Sequence, residues 1–161
     1  ELQLLHIWTH IFDVTQTTYS LALACGILDR LTDMERFALC ISALCHDLEH
    51  PGVNNVFLIK SRSSLVALYN DTSILEKHHS FRAFELMLNS NIDLLSGFTP
   101  EQFSEFRSLV MSIILATDMA RHGEYMAKLK EYTDTSLPDD QRLIGGKKVD
   151  KTFGMEILIK C

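Results

Sequence analysis

Apolar positions recur at intervals of three and four along most of this chain, and no stretch alternates over strand length. The pattern predicts helices near 2–25, 33–49, 53–60, 63–68, 74–89 and 100–132, with a last one beginning near Lys151. Two helix starts are legible in detail. Thr32 and Glu35 have capping-box spacing ahead of a stripe formed by Met34, Phe37, Ala38 and Ile41. Thr99-Pro100-Glu101-Gln102 supplies a cap, a first-turn proline and a capping-box glutamine to the longest helix, whose far end carries Glu124 and Lys128 at i,i+4 spacing. Pro51-Gly52 is expected to stop the second helix. Between Tyr132 and Lys151 the chain turns polar, with Pro138, Asp139, Asp140, Gly145 and Gly146, and reads as a surface loop. The fold class is therefore all-α, without internal repeats.

Composition narrows the picture to one domain. With 161 residues, 47% of them hydrophobic, the chain can bury one sizeable core, so residues 1–161 are read as part of a single domain. A mean hydropathy of +0.07 and the lack of a long uncharged apolar run argue against a membrane span. A net charge of −6, with no basic patch interleaved with aromatics, disfavours nucleic-acid binding. An anionic ligand would need cations to offset that field. Cys25, Cys40, Cys45 and Cys161 show no CxxC spacing and read as buried, reduced thiols of a cytoplasmic protein. No leader or lipidation signal is visible, and both ends fall inside helical patterns, as expected of a piece of a longer protein.

Four segments carry candidate chemistry. In His46-Asp47-Leu48-Glu49-His50-Pro51-Gly52, an imidazole and a carboxylate stand side by side, as suits one hydrolytic metal centre. Leu39, Ile41, Leu44 and Cys45 frame that run at helical spacing, so His46 and His50 are expected on one face of a helix end. His6 and His10 repeat the spacing near the start, where they could equally be hydrogen-bonded core histidines beside Trp8 and Phe12. Glu76, His78 and His79 form a third cluster, although Ser73 and Glu76 also fit a capping box. In Leu115–His122 polar residues interrupt an apolar helix, and such groups need partners.

Taken in order, these segments resemble the class I 3′,5′-cyclic-nucleotide phosphodiesterase catalytic domain. The resemblance rests on His6-x-x-x-His10 followed by Phe12-Asp13-Val14-Thr15-Gln16, on His46-Asp47-Leu48-Glu49-His50-Pro51-Gly52-Val53-Asn54-Asn55, on Tyr69-Asn70-Asp71, on Leu75-Glu76-Lys77-His78-His79 and on Ala116-Thr117-Asp118-Met119. It implies a compact multi-helix fold of the HD-type metal phosphohydrolases. It also implies hydrolysis of cAMP, cGMP or both to the 5′-monophosphate at two divalent metals, Zn2+ in the tighter position and Mg2+ or Mn2+ in the other. His10, His46 and Asp47 match the metal ligands, with Asp47 reaching both ions, and His6 matches the proton donor to the leaving O3′. His50, Glu76 and Thr117 match groups that hold metal-bound waters, and Met119 a residue of the nucleotide pocket. Two metals roughly 3.5–4 Å apart can share a hydroxide and clamp the attacking and leaving oxygens.

The sequence departs from the family pattern in places. Leu5 and Ile7 flank the first histidine, where an aromatic and a polar residue are usual, and Glu49 stands where Asp is more common and is read as tolerated. The family's second zinc-binding aspartate follows a Lys-Cys-Ala-Asp stretch, and this chain stops at Lys160-Cys161. Residues 1–161 alone are therefore expected to be inactive, with Met155, Ile157 and Leu158 short of packing partners. The family's base-reading glutamine and aromatic clamp also lie beyond Cys161, so the resemblance does not separate cAMP from cGMP; the reading leans towards cAMP or both. A cyclic nucleotide is the expected partner, and a homodimer is allowed. Two alternatives stay open: an HD-type phosphohydrolase of non-cyclic nucleotides, and a non-catalytic helical interaction module.

Overall fold

The computed structural model describes the backbone of residues 2–89, 94–133 and 150–160, and the side chains of 8–89, 94–130 and 150–160. These residues form α1 (Leu2–Ala24), α2 (Asp33–Cys45), α3 (Asn55–Lys60), α4 (Ser64–Tyr69), α5 (Ile74–Asn89), α6 (Pro100–Ala116), α7 (His122–Thr133) and α8 (Lys151–Lys160), with 3₁₀ turns at Leu28–Arg30 and Met119–Arg121. No strand forms among the described residues. The polar stretch expected as a surface loop and Cys161 lie outside them.

Both capping boxes form. Glu35 N–H donates to Thr32 Oγ1 while Thr32 N–H donates to the Glu35 carboxylate, and Thr99 and Gln102 do the same at the start of α6. α6 is the central element because it is buried on two sides. Ile113 joins Ala22, Leu39, Ala43 and Met155 of α1, α2 and α8, whereas Phe106, Val110 and Ile114 pack with Ala38, Ala83 and Phe84 of α2 and α5. Phe106 sits within a ring of Phe37, Phe84 and Phe98. A smaller cluster of Leu58, Ile74 and Leu75 seats α3 and α4 on α5. α8 is not short of partners: Met155, Leu158 and Ile159 are buried in the first cluster, and Lys151 reaches back to Glu35 at 3.1 Å.

Several local expectations are corrected. α2 stops at Cys45, before the proline, because His46–Glu49 form tight turns and Glu49 adopts φ 60°. His46 and His50 therefore do not share a helix face. The run expected as one helix over 100–132 breaks after Ala116, where Thr117 Oγ1 donates to Ile114 O (2.7 Å) and Asp118 Oδ1 accepts from Ala120 N–H (2.8 Å). Such local side-chain bonds compete with the helix ladder. Lys160 Nζ completes the break by donating to Ala116 O and Asp118 O (2.8 and 3.1 Å). Ser73 and Glu76 form no capping box: Ser73 Oγ donates to Asp118 Oδ2 instead (2.7 Å). Glu124 pairs with Arg121 and Lys128 with Asp150, so the i,i+4 pair is not made. Cys25 and Cys40 are exposed, and Cys45 is the one partly buried thiol among the described residues; burial raises the Cys45 thiol to about 11.

Candidate metal centre

α1 and the turn after α2 meet at three side chains. His46 Nε2 lies 3.3 Å from His10 Nε2, and Asp47 Oδ2 lies 3.5 Å from His10 Nε2 and 3.8 Å from His46 Nε2. His10 and His46 are 36 positions apart in sequence. His46 is buried because α2 delivers it into the core edge, and its Nδ1 sits 2.9 Å from Ala43 O. A carbonyl only accepts, so Nδ1 carries the proton and the Nε2 lone pair faces His10 and Asp47. Burial, the largest influence, holds the His46 pKa below its usual value and keeps the ring neutral, as a ligand must be.

The donor set fits a zinc-sized ion. Four ligands at bonds of about 2.0–2.2 Å stand roughly 3.3–3.6 Å from one another in a tetrahedron. Two of the observed separations, 3.3 and 3.5 Å, fall within that range, and the third, 3.8 Å, is slightly longer. His10, half-exposed on its side chain, faces neighbouring cleft space, as a site with an open position requires. His10 is not a core histidine, and its neighbours Trp8 and Phe12 are exposed.

Around this triad lies a cleft of about 1200 Å³ that also includes His50, Glu76, Thr117 and Met119 in its wall. His50 Nδ1 accepts from Gly52 N–H at 3.0 Å, so the neutral ring carries its proton on Nε2 and acts there as a donor. Glu76 is anchored by Asn55 Nδ2 at 2.9 Å, and Asn55 Oδ1 in turn accepts from Leu75 N–H. Burial raises the Glu76 pKa from its ordinary value, with Asp118 and Asp47 adding repulsion. That clustering of carboxylates favours a cation in the cleft. Thr117 has its hydroxyl proton on Ile114 O, which leaves its oxygen as an acceptor. Met119 is 70% exposed at the rim. His6 lies on α1 one turn before His10, but its side chain falls outside the described residues.

The sequence put His79 in a candidate cluster and Asn55 in the 46–55 motif without giving either a role, and it left Lys160 out of the site. His79 is buried, donates from Nδ1 to Leu48 O at 2.6 Å and stacks on His50 at 5.6 Å. Desolvation lowers its pKa to about 4. Asp47, His50 and His79 form a second group with ligand atoms within 4.8 Å of one another. The signals available were a second histidine beside His78 and the motif that ends at Asn55; Lys160 carried none.

A family model described as 3′5′-cyclic nucleotide phosphodiesterase matches residues 5–161. The chain belongs to this phosphodiesterase family. It is 41% identical over 156 residues to the 3′,5′-cyclic-nucleotide phosphodiesterase regA of Dictyostelium discoideum, covering 97% of this chain and 19% of that protein. It is 41% identical over 157 residues to the mouse (Mus musculus) high affinity cGMP-specific 3′,5′-cyclic phosphodiesterase 9A, covering 97% of this chain and 28% of that one. The crystal structure of the phosphodiesterase domain of the RhoPDE fusion protein from the choanoflagellate Salpingoeca rosetta superposes with a TM-score of 0.83 at 33% identity, over 95% of this chain and 47% of that chain. The chain thus spans less than a third of these curated relatives and about half of the solved domain. Its fold is the all-α, HD-type architecture of phosphodiesterase catalytic domains. No helix among the described residues is long and apolar enough to cross a membrane.

Proposed function

We propose that the protein carrying this chain hydrolyses the 3′,5′-cyclic phosphodiester of cAMP, cGMP or both to the 5′-monophosphate, and that residues 1–161 are part of a single phosphodiesterase catalytic domain. The convergence of His10, His46 and Asp47 on one point from two elements carries this reading, with family membership behind it. His10 Nε2, His46 Nε2 and Asp47 Oδ2 would hold Zn2+, and Asp47 would also face a second ion, Mg2+ or Mn2+. The two ions would acidify a water and neutralise the phosphate. His50, as an Nε2–H donor, and Glu76 and Thr117, as acceptors, would orient water from the cleft wall. Met119 would border the nucleotide at the rim. His6 would hand a proton to the leaving O3′ atom. The free thiols of Cys25, Cys40 and Cys45 agree with a cytoplasmic setting.

The test is metal analysis and hydrolysis of cAMP, cGMP and non-cyclic nucleotides by the protein that carries this chain, before and after chelation. Chelator-sensitive hydrolysis of a cyclic nucleotide is expected. Turnover of non-cyclic nucleotides alone, or metal-free protein with full activity, would overturn the reading. Within the active protein, His6→Ala should lower kcat about 10²–10⁴-fold, as loss of a general acid does, with metal content unchanged. Loss of metal in that variant would make His6 a ligand instead.

A further inference from the structure

The turn that carries His46, Asp47 and His50 is gripped from a second side by α5, and the grip centres on Glu49. Glu49 adopts φ 60°, a left-handed conformation that is unfavourable for a residue with a Cβ unless its surroundings enforce it. Its carboxylate is held at both oxygens. Oε2 lies 3.3 Å from His78 Nε2, and Oε1 forms an ion pair with Arg82 Nη2. Both partners sit on α5 one turn apart, and Arg82 is 33 positions from Glu49 in sequence.

Arg82 bears a penalty in this position. Its Nη1 pairs with Glu85 on its own helix, while its Nε is buried without a hydrogen-bond partner, the one such side-chain atom found among the described residues. An orphaned buried N–H calls for an explanation. Here the guanidinium is drawn between Glu85 along the helix and Glu49 across to the turn. The residue before Glu49 is fixed as well, since Leu48 O accepts from His79 of the same helix at 2.6 Å. Asp47 is therefore flanked by His46, tied to Ala43 O, and by Leu48 and Glu49, both tied to α5.

We propose that Arg82 is a positioning residue: through Glu49 it clamps the 46–50 turn onto α5 and so sets where Asp47 and His50 stand relative to His10 and His46. This rests on the reading of that centre as a metal site. Ligand constellations tolerate displacements of only about 0.5 Å. Releasing Glu49 would let its left-handed backbone relax, and Asp47, two residues away, would move with it.

The experiment uses Arg82→Gln and Glu49→Gln in the protein that carries this chain, with Glu85→Gln as a control that leaves the link to the turn in place. Four quantities are read: hydrogen exchange of the 46–50 amides in metal-free protein, Zn2+ affinity, and kcat and KM for cAMP and cGMP. Both test variants should exchange faster in the turn, bind Zn2+ about 10–100-fold more weakly and lose kcat with KM near that of the unmodified protein, the scale seen when supports of a metal ligand are removed. Glu85→Gln should change little. Arg82→Lys should recover part of each loss, and the exchanged pair Glu49→Arg with Arg82→Glu should exceed either single change. Arg82→Gln with unaltered turn exchange and Zn2+ affinity but a lower Tm would overturn the proposal and leave Arg82 as packing only. If the unmodified protein binds no Zn2+, the functional reading fails, while turn exchange unchanged by Arg82→Gln would separately overturn the clamp.

Discussion

Which nitrogen of each imidazole is already engaged separates the histidines of this cleft more sharply than their spacing does. His46 and His79 both donate from Nδ1 to a backbone carbonyl and keep an Nε2 lone pair, whereas His50 accepts at Nδ1 from Gly52 N–H and keeps an Nε2 proton. A lone pair can bind an ion; a ring N–H can orient water or a phosphate oxygen. In the intact protein His46→Ala should therefore abolish tight Zn2+ binding, while His50→Ala should retain Zn2+ and lose about 10–100-fold in activity. Elemental analysis of desalted protein beside initial rates checks both. Zinc lost equally from the two variants would refute the tautomer argument.

At the scale of elements, α7 and α8 meet through an aromatic and an acid. Tyr125 stacks on Phe153 with centroids 5.8 Å apart and donates its hydroxyl to Glu156 Oε2 at 2.9 Å. Burial, then the Glu156 hydrogen bond and its charge, raise the Tyr125 pKa to about 12. An unfolded tyrosine ionises near about 10. The folded value is the higher one, so this contribution is fully present below pH about 10 and is lost as pH rises through about 12. Ultraviolet titration of tyrosinate should show a component ionising near pH 12 that is missing from Tyr125→Phe. The fall in urea-unfolding stability over that alkaline window should also be shallower in the variant. An unchanged late phase would place the perturbed tyrosine elsewhere.

At the scale of the whole molecule, α6 joins the two larger clusters and holds α2, which delivers His46, against α5, which supplies Glu76, His79 and Arg82. Phe106 is fully buried where Phe37, Phe84 and Phe98 converge. Phe106→Ala should cost about 3–5 kcal/mol in urea unfolding, the transfer loss plus the cavity left behind. A loss under about 1 kcal/mol would mean that the cluster collapses to fill the space.

Helix class, the capping boxes at Thr32 and Thr99, and the stripe of Met34, Phe37, Ala38 and Ile41 on α2 were legible in the sequence because they depend on local hydrogen bonding and on the helical period. So were the identities of His10, His46 and Asp47 as candidates, through neighbouring ligand types and motif order. The end of α2 and the break after Ala116 were not legible, since His79 takes Leu48 O and Lys160 takes the carbonyls of Ala116 and Asp118 from 31, 44 and 42 positions away. Ser73 likewise read as a cap and serves Asp118 instead. Periodicity determines which face of a helix is apolar but carries no information about which helix that face meets. The meeting of α1 with the turn after α2, and of that turn with α5, was decided only by tertiary packing around α6, and the candidate metal centre exists at those two junctions.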